Sequence, residues 1–261
     1  MGKHSNLWGE ISNSEWKQSI VLSSVPLWKY NDQNVPIANA SGCLIDYLGC
    51  RFLLSIAHSS IAKDVWHFEV ASLHIYENGE KGTCIQPFQM DWLEEFSLIE
   101  ETYELTESKL VDFTYKKIRS DLGSHHGLCF TQDDQILGAD RTVFKPDFNI
   151  KPSNNINYGF YGQVRFKGVS GNKILFDYQL EDKLSYIGKE GDLFVFKLPH
   201  PYGSHANYQG CSGAPIIDEN GNLVSLVSFG RKSTNCIYGI DINRYRAALD
   251  IEAGPSLERK K

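Results

Sequence analysis

The chain has 261 residues, of which 41% are hydrophobic and 22% charged, enough for a sizeable core and too apolar for a disordered chain. Its 26 Lys and Arg are outnumbered by 32 Asp and Glu, a net charge of −6, the wrong sign for a protein whose main partner is nucleic acid. No apolar run approaches membrane-spanning length, and the start Met1-Gly2-Lys3-His4 leads into no apolar stretch of the secretory kind, so a soluble, cytoplasmic chain that binds neither nucleic acid nor membrane is expected.

Short runs rich in Val, Ile, Leu, Phe and Tyr predict strands over residues 19–30, 42–45, 51–57, 65–76 and 113–118, each broken off by turn residues. Residues 100–109 are acidic and polar, a loop or a short helix. Residues 121–134, with Gly123, His125, His126 and Gly127, read as an exposed crossing between two halves. Strands resume over 158–166, 173–180, 192–198, 214–217, 223–229 and 236–240, and Asn220-Gly221 between two of them is a hairpin signal. Asp241 can cap a final helix that carries Ile242, Tyr245, Ala248 and Leu249 at three- and four-residue spacing. Many short strands and few helices predict an all-β chain of barrels or sandwiches.

Six cysteines are present, Cys43, Cys50, Cys84, Cys129, Cys211 and Cys236. With no leader toward an oxidising compartment, free thiols are expected. His125, His126 and Cys129 imitate one corner of a metal site, but a second ligand pair at zinc spacing is missing. Neither a metal nor another cofactor is expected.

Three segments carry groups that could do chemistry together. Gly210-Cys211-Ser212-Gly213-Ala214-Pro215 sets a hydroxyl in a glycine-framed turn, where the amides of Gly210 and Ser212 can point at one carbonyl oxygen. A serine hydroxyl needs a base to take its proton. His58 ends the apolar run from Phe52 and follows the small Ala57, so its ring can enter a cleft and shuttle protons. Asp112 stands just before the predicted strand at 113–118, where a carboxylate can orient the imidazole. Each segment alone reads equally well as an ordinary turn, strand cap or strand opening; in the order His, Asp, Ser they match one known arrangement of a catalytic triad.

The chain resembles the trypsin/chymotrypsin-like serine peptidases, in a form closer to their intracellular or bacterial branch. "GCLIDYLGCRFLLSIAH" is similar to the family's strand pair ending in Ala-His, "DFTYKKI" to its Asp-bearing strand, and "QGCSGAPIIDENGNLVSLVSFG" to its serine turn, hairpin and substrate edge. "NYGFYG" resembles the turn that opens the second barrel, without its proline. The resemblance runs from about Ser19 to Ile242. It implies two six-stranded antiparallel β-barrels and a C-terminal helix, with residues 1–125 carrying His58 and Asp112 and residues 126–261 carrying Ser212. It also implies roles: Ser212 as nucleophile, His58 as base then acid, Asp112 as orienting carboxylate, Gly210 and Ser212 amides as oxyanion hole, and Ser228, Phe229 and Gly230 as the edge that pairs with an extended polypeptide.

The departures from the family carry expectations too. Cys211 stands where many members have an aspartate that pairs with a freshly cut N-terminus, so activation by N-terminal cleavage is not expected; control is expected from a regulatory protein partner or from the ordering of loops. Relatives that attack with cysteine exist, but the residue directly before the turn's second glycine is Ser212, not Cys211. The specificity pocket would be floored near Ala206, close to Gln209, with no acid among residues 205–209. A small, apolar or polar uncharged residue before the cut bond is therefore expected, although His200 or His205 would favour an acidic one. Intact triad residues favour an endopeptidase; the alternative is a catalytically silent scaffold that binds peptides or proteins.

Overall fold

The computed structural model describes residues 11–254 apart from 12–13, 34, 61–64, 76–80, 96–97, 100–103, 130–135 and 171–172, with backbone alone at 69–75, 81–86, 98–99, 104–105, 125–129, 136–139, 165–170 and 173–176. Its first long element corrects the sequence reading. Residues 19–23 end a helix, α1 (Glu15–Ser23), instead of opening a strand. Ser14 caps that helix by accepting the Lys17 N–H, and Glu15 sits in its first turn beside the positive end of the dipole. Ile20 and Val21 are fully buried. The cap sets the helical period, and the β-branched residues then serve as its apolar face.

Strands follow in the order β1 (Val25–Tyr30), β2 (Pro36–Tyr47) and β3 (Cys50–Ser55), then a one-turn helix α2 (Ala57–Ser60), then β4 (Trp66–Ile75), β5 (Lys81–Phe88) and β6 (Asp91–Glu95). The short β7 (Leu98–Ile99) and β8 (Glu104–Leu105) pair with each other before β9 (Lys109–Ile118). The predicted crossing carries a two-stranded ribbon, β10 (His125–Cys129) against β11 (Ile136–Asp140). β12 (Val143–Phe144) returns to lie parallel beside β2. These strands make a curled eight-stranded sheet in the order β5-β4-β1-β2-β3-β9-β6, with β12 on β2.

The second unit is a closed barrel of six strands: β13 (Asn157–Ser170), β14 (Lys173–Glu190), β15 (Leu193–Lys197), β16 (Pro215–Asp218), β17 (Leu223–Arg231) and β18 (Cys236–Asp241), ordered β13-β14-β15-β18-β17-β16. Asn220-Gly221 lies in the turn joining β16 to β17, as its chemistry predicts. Asp241 caps a 3-10 turn (Ile242–Tyr245) by accepting the Asn243 N–H, and the chain continues as α3 (Arg246–Ala253).

Each unit has its own core, and a third apolar cluster joins them. Tyr158, Phe160, Phe194, Phe196 and Ile237 fill the barrel, while Leu27, Leu44, Leu53 and Phe68 fill the curled sheet. Between them Phe52, Leu54 and Phe113 meet Tyr161, Leu226, Ile240 and Leu249. The terminal segment ties the barrel back to the sheet: the rings of Phe113 and Tyr245 stack with centroids 4.8 Å apart. Polar bonds also join the two units, among them one from Trp28 Nε1 to Gln163 Oε1 at 2.7 Å, both side chains buried. Trp28→Phe should strand the Gln163 oxygen and lower stability by about 1–3 kcal/mol, read as a lower urea midpoint with unchanged slope.

Cys43, Cys211 and Cys236 are buried free thiols and Cys50 is buried; the side chains of Cys84 and Cys129 lie outside the described residues, as do those of His125 and His126. Among the described residues no group of three His, Cys, Asp or Glu side chains could hold a metal ion, and no helix is long and apolar enough to cross a membrane.

Candidate active site

Strand register brings the first two site residues together. β3 and β9 run antiparallel with Ser55 opposite Thr114, and continuing that register by two residues sets position 57 against 112. Asp112 is thus inside a strand, not ahead of one as its sequence context suggests, because β6 pairs with Lys109 and Leu110 and extends β9 backwards. His58 is the second residue of α2. Its amide donates to Asp112 Oδ1 at 3.0 Å, and its ring Nδ1 lies 2.8 Å from Oδ1 and 3.0 Å from Oδ2. Ser60 pins the turn from below: its hydroxyl donates to the Ile56 carbonyl at 2.6 Å and lies 3.0 Å from Thr114 Oγ1.

Burial by itself would raise the Asp112 pKa. The His58 ring, the His58 amide and the Ser228 hydroxyl, which donates to Oδ2 at 2.7 Å, outweigh it and hold the carboxyl below its ordinary value. An ionised Asp112 takes the Nδ1 proton of His58 as its partner, which leaves Nε2 as the acceptor. Nε2 stands 3.2 Å from Ser212 Oγ, and the same hydroxyl reaches the Ser228 carbonyl at 3.2 Å. His58 is half-exposed, so the three groups line an open surface rather than an interior.

The serine turn needs its glycines. Gly210 has φ +93° and Gly213 φ +85°, values that favour glycine, and a side chain at Gly213 would run into the Ser41 carbonyl and the Ser55 hydroxyl. Those two serines, on β2 and β3, hold the turn from the other unit. The Ser41 amide donates to the Ser212 carbonyl and its hydroxyl to the Gly210 carbonyl, both at 2.9 Å, while the Ser55 hydroxyl donates to the Ser41 carbonyl at 2.7 Å. The Cys211 N–H is used by the Tyr208 carbonyl. Among the described residues the N–H groups of Gly210 and Ser212 donate to no other group.

Cys211 points the other way. It is fully buried, its Sγ would meet a side chain placed at Gly162, and burial pushes its thiol pKa up. A buried neutral thiol is a poor nucleophile. Cys211→Ala should leave the Ser212 site working and cost about 1 kcal/mol of stability from the lost apolar contact; a thiol-alkylating reagent should modify the native protein at Cys211 no faster than global unfolding allows.

The expected substrate edge lies at a bulge. β16 pairs with β17 only as far as Leu226; Phe229 and Gly230 pair with Tyr238 and Ile237 of β18, the buried Ser228 stands at the register shift before them, and among the described residues no strand pairs with the other side of Ser228–Gly230. Phe229 is pinned flat against Tyr238 at 4.7 Å. Gln209 is exposed beside the serine turn. Ala206 lines a shallow cleft with Val164, Asp177, Tyr178, Gln179 and Asn207. Two further groups near the turn carried no sequence signal: Glu181, 2% exposed on β14, and Tyr202, 5% exposed ahead of the turn.

Solved structures share this architecture. Human heparin binding protein is similar over 89% of this chain and 91% of its own, at 14% identity and a TM-score of 0.52. An atomic-resolution structure of HBP gives 89% and 91%, 13% identity and a TM-score of 0.53. The serine endoprotease from Yersinia pestis matches 91% of this chain and 66% of its own, at 12% identity and a TM-score of 0.46. No family model matches the chain, and no curated protein matches it in sequence. The first two likenesses show a chymotrypsin-like fold.

Proposed function

We propose that the chain is a serine endopeptidase. Ser212 Oγ attacks the carbonyl carbon of a peptide bond while Nε2 of His58 takes its proton, and the oxygen, now negative, is received by the N–H groups of Gly210 and Ser212. The carbon–nitrogen bond then breaks, the leaving amine takes the proton from Nε2, and an ester on Ser212 remains. Water repeats the sequence and frees the acid. Asp112 fixes the ring and stabilises the imidazolium. The open edge at Ser228–Gly230 would hold an extended polypeptide as an added strand. The reading extends to a dedicated protein substrate and a regulatory partner in the cytoplasm.

What carries this reading is the unbroken relay from Asp112 through His58 to Ser212, at 2.8 and 3.2 Å, beside two unused amides. A fluorophosphonate probe tests it: it should label the folded protein at Ser212 and leave Ser212→Ala unlabelled. Absence of labelling, with His58 and Asp112 intact, would favour the silent scaffold. The neighbours named for heparin binding do not lend that ligand to this chain, because a net charge of −6 repels a polyanion.

A further inference from the structure

If Ser212 attacks a peptide whose backbone lies along Ser228–Gly230, geometry dictates where the side chain before the cut bond must go. The attacked carbonyl carbon sits at Ser212 Oγ and its oxygen at the Gly210 and Ser212 amides. The residue that owns that carbonyl therefore projects its side chain between the Ser228–Gly230 edge and the turn running from Tyr208 to Gly210. In this protein that space is occupied. The Tyr202 ring stacks on Tyr208 with centroids 4.6 Å apart and a 26° tilt. On its other side it lies so close to Gly230 that a Cβ built there would stand 2.6 Å from its hydroxyl and 2.9 Å from Cζ. Tyr202 is 5% exposed and belongs to the same buried cluster as Tyr208, Cys211 and Val227.

The ring is held, not merely resting there. Asn235, at φ +58° in the turn between β17 and β18, accepts the Tyr202 N–H with its side-chain oxygen. The same side chain donates to the His200 carbonyl at 2.9 Å, and the Asn235 carbonyl accepts the Leu198 N–H at 3.1 Å. The buried Glu181 carboxylate fixes the ring's stacking partner and the chain ahead of the ring, accepting the Tyr208 hydroxyl at 2.8 Å and meeting His200 Nε2 at 2.9 Å. A side chain anchored through its own backbone and through its stacking partner is a wall rather than a gate. Its hydroxyl finds no hydrogen-bond partner among the described residues, so the ring's place there rests on packing.

We propose that Tyr202 fills the pocket beside Ser212 and limits cleavage to bonds that follow glycine or alanine. This rests on the peptidase reading above. Tyr202 is then the specificity-determining residue, and the preference for a small side chain comes from an inserted ring rather than from the residues near Ala206.

The test compares wild type, Tyr202→Phe, Tyr202→Val and Tyr202→Ala, each with a Ser212→Ala control, in two measurements. The first maps new termini in a digested proteome. Wild type and Tyr202→Phe should cut after glycine and alanine; Tyr202→Val and Tyr202→Ala should gain cleavage after leucine, phenylalanine or tyrosine by roughly tenfold to a hundredfold relative to alanine, the smaller gain in the valine variant. The second is melting with 4-methylphenol, a copy of the missing side chain, which should stabilise Tyr202→Ala and leave wild type unmoved. Ser212-dependent cleavage after large residues by wild type would overturn the proposal while keeping the peptidase. No Ser212-dependent termini, with 4-methylphenol still stabilising Tyr202→Ala, would overturn the peptidase reading and leave the filled pocket standing. Tyr202→Phe should melt no lower than wild type, since it removes a hydroxyl that makes no bond among the described residues. Should Tyr202→Ala fail to fold, the wild-type and valine termini still decide the preference.

Discussion

Replacing Ser212 with alanine is expected to lower peptide hydrolysis by roughly four to six orders of magnitude, with the fold intact. The hydroxyl is only partly buried, and its two contacts, to His58 Nε2 and the Ser228 carbonyl, are both at 3.2 Å. Neither bears weight in the packing: the turn around it is held by the backbone of Ser212 and Gly210 through Ser41, which the substitution leaves alone. Far-ultraviolet circular dichroism and the urea midpoint should therefore match wild type while turnover vanishes. His58→Ala should fall to a similar floor, and the double variant should fall no further, because groups that act as one unit do not add. Additive losses, or a Ser212→Ala protein that still hydrolyses peptides at the wild-type rate, would remove Ser212 from the chemistry.

Asp112→Asn is expected to cost about 10⁴ in kcat at neutral pH. The asparagine amide can turn its N–H₂ toward His58 Nδ1, which puts the ring proton on Nε2, facing Ser212 with a donor where an acceptor is required. The same change removes the anion to which the Ser228 hydroxyl and the His58 amide now donate. A pH signature separates this from simple misfolding. The folded pKa of Asp112 lies below its ordinary 3.8, so the carboxylate contributes stability at pH values above that and loses it as pH falls through the folded value. Wild type should thus lose stability relative to Asp112→Asn between pH 5 and strongly acid solution, with the gap closing toward acid. A gap that widens toward acid would contradict the hydrogen bonds drawn here.

Much of this molecule is local in origin and could be read from residue order. Apolar runs with turn punctuation locate the barrel strands, Asn220-Gly221 makes its hairpin, and Asp241 caps its turn, because strand period, turn chemistry and capping depend on residues within a few positions of each other. The order His58, Asp112, Ser212 was equally visible, since each stands in a short stretch with its own signature. Other features were settled by partners far along the chain. Residues 19–23 joined a helix because Ser14 offered a cap and the core took Ile20 and Val21, against a β-branched composition that suited either period. Asp112 entered a strand because β6 lay beside it. Ser41 holds the Gly210 carbonyl across 169 residues, and Trp28 meets Gln163 across 135. Tyr202 is an unremarked aromatic in "PHPYGS" until Gly230 and Tyr208 close around it. Sequence named the candidate residues; only the tertiary structure decided what surrounds them, since a site's walls are side chains that share no neighbourhood in the chain.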